Sequence, residues 1–274
     1  MGRKRNPWTL DQYRQQISLG AGQGDLENYE PWPVATTLSQ MDKMHDVQGR
    51  TTGRLHSFLL SLQKTFCLIL DFDPDVKDIK EYWPLPLDET AAIAQEINVS
   101  HPTDNGYPTV LLADFYYLKN GSWHAMLVKR LKQLESEGME DSIAIMQEYF
   151  RRHGQDLGIL TEKELNSTIV YNYNWLTEGE YLADTFPDPE ELESVISMVK
   201  EASGNLGIAA DFSTFVLAGD EHLGLPEGTI MQTLKYMALN RMIKVNMNQK
   251  INFWDLNPTP REVLMANFRK MMRF

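Results

Sequence analysis

The sequence predicts an α/β first half followed by a mostly helical second half. Two observations carry the first part. An Asn120-Gly121 pair stands between two β-rich runs, and short apolar strand-like segments alternate with helix-period segments up to about residue 175. One observation carries the second. Three helix-period segments are followed by two short β-type runs, which is the order of a winged-helix domain.

The elements follow in chain order. Thr9 is placed to cap a short helix to Ile17. Gly20 to Pro33, GAGQGDLENYEPWP, reads as loop. It is no phosphate-cradling loop, because no GK[ST] follows and no strand precedes it. Ser57 to Leu70 carries Leu59, Leu62, Phe66 and Ile69 at helical steps, and Gln63 falls on the same apolar face. A polar residue there is either a satisfied core amide or part of a site. A strand is expected over Val76 to Tyr82 and a short helix over Ala91 to Asn98. Leu131 to Arg152 reads as helix interrupted at Gly138, and Leu157 to Leu160 as a buried strand. Thr161 with Glu164 has the form of a capping box opening a helix toward Trp175. Beyond it, Pro189 to Ala202, Ile208 to His222 and Glu227 to Met242 read as helices. Ile243 to Val245 and Ile251 to Trp254 are expected as the strands of a wing.

The hairpin holds the most informative residue. Asp114 lies between Val110-Leu-Leu-Ala113 and Phe115-Tyr-Tyr-Leu118, where an unpaired buried charge costs several kcal/mol, roughly. With Asn120-Gly121 as a two-residue turn, Lys119 faces Ser122 and Asp114 falls opposite Leu127. Lys129 then points to the same face as a diagonal neighbour of Asp114. The arrangement suits either of two roles. One is an ordinary cross-strand ion pair. The other is a nuclease pair, in which the carboxylate holds a divalent metal and the lysine orients water or balances phosphate charge.

Composition narrows the classes. The chain has 274 residues, 42% hydrophobic and 23% charged, as in a globular protein of one large or two ordinary domains. No run approaches the roughly 20 apolar residues of a membrane span, and MGRKRNPW is followed by no apolar signal region. The single cysteine, Cys67, allows no internal disulfide and suits a reducing cytoplasm. His101, His124 and His153 show no zinc spacing. A net charge of −12 argues against a high-affinity non-specific DNA binder. The charge is uneven: Thr177 to Asn240 holds twelve acids against Lys200 and Lys235, whereas Arg241 to Phe274 holds seven bases against Asp255 and Glu262. The third helix and the basic tail are therefore candidate DNA or protein contacts, with Lys235, Arg241 and Lys244 the candidate DNA-binding residues.

Several stretches in order resemble one family. They are GAGQGDLENYEPWP, GRLHSFLLSLQKTFCLILDFDPDVKDIKEYWPL, His101-Pro102, Ala113-Asp-Phe115, Leu127-Val-Lys129, TEKELN from Thr161 to Asn166, and Asn174-Trp-Leu176. Together they resemble TnsA, the endonuclease subunit of heteromeric cut-and-paste bacterial transposases. The resemblance covers Gly20 to Leu176 and is weaker beyond. It implies a restriction-endonuclease-like domain over residues 1–175 and a winged-helix-like DNA- or partner-binding domain over 176–274. It implies Mg²⁺-dependent cleavage of the non-transferred strand at transposon ends in the bacterial cytoplasm. The implied partners are a DDE transposase (TnsB-like) and an AAA+ regulator (TnsC-like). On this match Asp114 is the strand carboxylate and Lys129 the lysine. Gln63 stands where the family has Glu, and Leu127 where it has Gln or an acid. The implied site is thus Gln63, Asp114 and Lys129, with Asp114, Gln63 and the Val128 carbonyl on the metal. A neutral amide gives up one charge against a hard cation. Asp71, Asp73 and Asp78 are other carboxylates that could supply it. The alternative implied role is an assembly protein, with an impaired site, that bridges transposase and regulator.

Overall fold

The computed structural model describes residues 9–34, 44–104, 106–204 and 209–256. The first eight residues, the break at 205–207, the first residue expected of the second helix (208) and the basic run Arg261 to Arg273 lie outside them. The chain divides into two compact units, Met1–Asn166 and Ser167–Phe274.

The first unit opens with α1, Leu10–Ser18, whose cap is a reciprocal Thr9–Gln12 box. The short strands β1, His45–Gln48, and β2, Leu55–Phe58, pair antiparallel. Helix α2, Ser61–Asp71, follows, so Ser57 and Phe58 belong to a strand and not to the helix that periodicity suggested. Strand β3 spans Val76–Pro84 and α3 spans Leu87–Glu96. A two-residue ladder of β4, Thr103–Asp104, and β5, Tyr107–Pro108, leads into the central hairpin of β6, Leu112–Lys119, and β7, Ser122–Val128. Helices α4, Leu131–Leu134, and α5, Met139–Arg152, are separated at Gly138, which has φ +75°. Strand β8, Leu157–Leu160, completes the sheet in the order β3-β6-β7-β8, with only the last pair parallel.

The hairpin tip is as the sequence dictates. Asn120 and Gly121 both have positive φ, 52° and 75°, and Lys119 faces Ser122. The sheet buries both faces. Phe115 and Tyr117 meet Phe66 of α2, while Tyr116 stacks on Trp83 and Trp123. Ala113, Ala125 and Leu127 join Ile93 of α3 and Ile145, Tyr149 and Phe150 of α5 in a second core. Thr161 and Glu164 do bond each other, but as a turn: the helix starts only at Ser167.

The second unit is helical among its described residues: α6, Ser167–Leu176; α7, Tyr181–Thr185; α8, Pro189–Gly204; α9, Ala209–Leu223; α10, Thr229–Leu239. Ile230, Leu234 and Met237 of α10 are fully buried. Asp220 caps α10, its carboxylate accepting the N–H groups of Gly228 at 2.6 Å and Ile230 at 2.9 Å. The expected wing strands do not form. Residues 243–252 form no strand, and Phe253–Leu256 is a 3₁₀ turn. The cause is Asn172, which is fully buried. Its amide donates to the Met247 and Gln249 carbonyls at 3.0 and 2.8 Å and accepts the Ile251 N–H at 2.9 Å. Those backbone groups would otherwise form a hairpin ladder.

Candidate active site

The β6–β7 ladder runs from Lys119↔Ser122 to Phe115↔Met126 and stops one residue short of Asp114. At that point the side chain replaces the backbone. Asp114 Oδ2 accepts the Val128 N–H at 2.8 Å, while Oδ1 accepts Lys129 Nζ at 2.8 Å and Gln63 Nε2 at 3.0 Å. Strict strand alternation does not describe this end of the hairpin. The carboxylate itself joins the end of β7 to α2 and draws Lys129 in.

Asp114 is 2% exposed and Gln63 3% exposed. Burial pushes the Asp114 carboxyl above the ordinary carboxylate range, against the opposing pull of Lys129, the Val128 N–H and the Gln63 amide. The Lys129 side chain is 22% exposed, so it is the solvent-facing member of the group.

Gln63 sits in the first turn of α2. Its Oε1 accepts the Leu60 N–H at 3.2 Å, the backward half of a capping box. The same oxygen accepts the Tyr82 hydroxyl at 3.3 Å, and Tyr82 in turn accepts the Leu59 N–H at 3.1 Å. Turning the amide over would set its NH₂ against the Leu60 N–H, donor against donor, so the network fixes which end meets Asp114.

Other sequence candidates lie elsewhere. Asp71 accepts the Arg50 and Thr51 N–H groups, Asp73 pairs with Lys119, and Asp78 accepts the Leu26 and Ile79 N–H groups. Lys235, expected as a DNA contact, is 4% exposed, pairs with Glu178 and lies 4.4 Å from the Trp175 ring centre. Helix α10 turns this lysine into its own unit, and its charge is already matched. Arg241 and Lys244 are exposed.

Two features escape sequence reasoning. One is Tyr82, for which no spacing rule selects a role. The other is a buried network that joins β2 and the turn before it to β3. Glu81 is bound by Arg54 Nη1 and Nη2 and by His56 Nδ1 at 2.8 Å, and His56 Nε2 meets Thr52 Oγ1 at 2.8 Å. Burial pushes the Glu81 carboxyl up, but hydrogen bonds from Arg54 and His56 outweigh it and hold it below the usual range. The hydroxyl–imidazole–carboxylate order resembles a nucleophilic triad. With His56 fully buried and Thr52 at 3%, no substrate reaches it.

The donor set bears on a metal. Among the described residues no three His, Cys, Asp or Glu side chains gather as a metal cage would need. Mg²⁺ is commonly held by one or two carboxylates with substrate phosphates and waters. Asp114 with the Val128 main chain fits that sparse protein share. As arranged, both Asp114 oxygens are already occupied by donors.

No family model matches the chain. Among curated proteins it is similar to "Transposon Tn7 transposition protein TnsA" of Escherichia coli, with 28% identity over 257 residues. The match covers 90% of this chain and 90% of that protein. No described helix is long and apolar enough to cross a membrane.

Proposed function

We propose that this TnsA-like chain is the DNA-cleaving subunit of a transposition system, hydrolysing a phosphodiester at transposon ends on the strand that a DDE transposase leaves uncut. Support comes from a relationship that runs along nine tenths of the chain and from the mixed α/β first unit that carries the site. The single observation that carries the chemistry is Lys129 Nζ at 2.8 Å from a buried Asp114 at the open end of the hairpin.

Asp114 and the Val128 carbonyl are the groups that would hold Mg²⁺, with Gln63 beside them. When bound, such an ion polarises the phosphoryl oxygen and acidifies a coordinated water. The chain's own residues do the rest. Lys129, partly solvent-facing, exchanges its Asp114 partner for the scissile phosphate and balances the charge that grows there. The Val128 N–H keeps Asp114 oriented throughout. Gln63 contributes no negative charge, so the phosphate itself supplies what a second carboxylate would. Arg241 and Lys244 lie exposed, where backbone phosphates can meet them. The net charge of −12 makes stable DNA engagement depend on a TnsB-like transposase and a TnsC-like AAA+ regulator.

The test is end cleavage of strand-labelled transposon DNA by the full partner set across a Mg²⁺ titration. Nicking of the non-transferred strand that is lost in Asp114→Ala supports the reading. Nicking that persists in Asp114→Ala overturns it. If neither protein cuts while transposition complexes still assemble, the chain serves as an assembly protein.

A further inference from the structure

Tyr82 has an unusual position. It is a buried aromatic residue, 5% exposed, in the middle of β3, yet its φ is +50°. A non-glycine residue in the left-handed region, and a bulky one above all, costs energy that the surroundings must offset. The β3–β6 register brackets it: Glu81 pairs with Phe115 and Trp83 with Ala113, which sets Tyr82 across from Asp114. The kink also breaks the alternation of the strand. Glu81 bonds His56 of β2 and Arg54 just before it, while Trp83, two residues on, stacks on Tyr116 and meets Phe150. Residues two apart in an unbroken strand share one face. The left-handed residue therefore sits at the step where the strand changes faces, with its hydroxyl between the start of α2 and the carboxylate site.

That hydroxyl is fully used. It accepts the Leu59 N–H at 3.1 Å and donates to Gln63 Oε1 at 3.3 Å. Gln63 Oε1 also accepts the Leu60 N–H, so the amide oxygen is held by two donors on the side away from Asp114. The amide NH₂ is left facing Asp114 Oδ1 at 3.0 Å.

We propose that Tyr82 is a positioning residue of the carboxylate site: its hydroxyl locks the Gln63 amide oxygen-out and NH₂-in, so that the amide stands on Asp114 where a cation would otherwise stand. The proposal rests on the reading of Asp114 as the metal-side carboxylate. Its consequence is that the free protein excludes divalent cations from Asp114, and that the amide must turn before its oxygen can join a metal. Tyr82→Phe removes one of the two donors that hold the oxygen and keeps the ring.

The test uses the full-length chain and Mn²⁺ alone as the probe, with two readouts that need no cleavage. The first is Mn²⁺ affinity by electron paramagnetic resonance. The second is hydrogen exchange of the Gln63 side-chain amide by ¹⁵N NMR. In wild type the amide is protected and Mn²⁺ binding is weak. Tyr82→Phe is expected to tighten Mn²⁺ binding about fivefold, the worth of one hydrogen bond, and to speed amide exchange. Gln63→Leu is nearly isosteric and has no amide to lock. In that background Tyr82→Phe is expected to leave Mn²⁺ affinity unchanged, so a coupling confined to the amide separates positioning from packing. If Tyr82→Phe changes neither affinity nor exchange while Gln63→Glu still tightens Mn²⁺, the positioning role is overturned and the metal reading stands. If Gln63→Glu fails to tighten Mn²⁺ as well, the metal reading falls with it.

Discussion

Gln63→Glu sets a second carboxylate against Asp114, and the geometry fixes what must follow. The wild-type contact is 3.0 Å between Gln63 Nε2 and Asp114 Oδ1, with both side chains buried. Two negative charges about 4 Å apart at an effective dielectric of about 20 repel by about 4 kcal/mol. The pair can escape by sharing one proton, as close carboxylates do. Holding that proton at pH 7 on a group with an ordinary value near 4.3 costs about 3.7 kcal/mol, at 1.36 kcal/mol per pH unit. At pH 5 the same cost is about 1 kcal/mol. The sign follows from linkage. A carboxyl whose folded pKa is raised keeps its stabilising contribution below its unfolded pKa and loses it as pH rises through the folded pKa. The metal-free variant should therefore melt roughly 10 °C below wild type at pH 7 and close to it at pH 5. Millimolar Mg²⁺ should restore much of the loss in the variant and leave wild type nearly unmoved, because a ligand stabilises only through the state it binds. Thermal melts at both pH values, with and without Mg²⁺, read all of this. A variant that tracks wild type at both pH values and ignores Mg²⁺ would refute the placement of Gln63 on Asp114.

Other outcomes follow from the same contacts. Lys129→Ala removes a cation that holds the buried Asp114 carboxyl down, so that carboxyl rises further. The variant should lose about 3 kcal/mol at neutral pH and less in acid, seen in urea melts between pH 5 and 8. Glu81 has a lowered carboxyl, so its contribution is present above the ordinary Glu pKa and lost as pH falls through its lower folded value. Arg54→Ala should cost about 3–5 kcal/mol at pH 7 and shift acid unfolding to higher pH, read by circular dichroism. Lys235→Ala should destabilise the second unit without changing the salt dependence of DNA binding, since its charge is spent on Glu178. Lys244→Glu should weaken DNA binding by the assembled complex and flatten its salt slope, measured by fluorescence anisotropy.

The legible parts of the sequence were those governed by local rules. Asn120-Gly121 announces a turn that only two consecutive positive-φ residues can make, and it carries Asp114 and the end of β7 to one place. The helix periods of α5, α8 and α10 are similarly self-sufficient. What stayed hidden depends on partners far apart in sequence. The wing was expected from β-type residues at 243–245 and 251–254, but Asn172 satisfies that segment's backbone from α6, and no local pattern shows such a contact. Lys235 has the pattern of an exposed basic residue because a lone lysine on a helix gives no sign that it is buried against Glu178. Tyr82 read as one more β-former. Its left-handed backbone accompanies contacts with β6 and with the residues just before α2, which no local pattern shows.

The most direct measurement is strand-resolved cleavage of transposon-end DNA by the complete partner set, comparing wild type with Asp114→Ala. Wild type should give a Mg²⁺-dependent nick on the non-transferred strand, and the variant should lose it by a factor of at least about a hundred. Equal nicking by the two proteins, or a nick that appears without divalent metal, would contradict it.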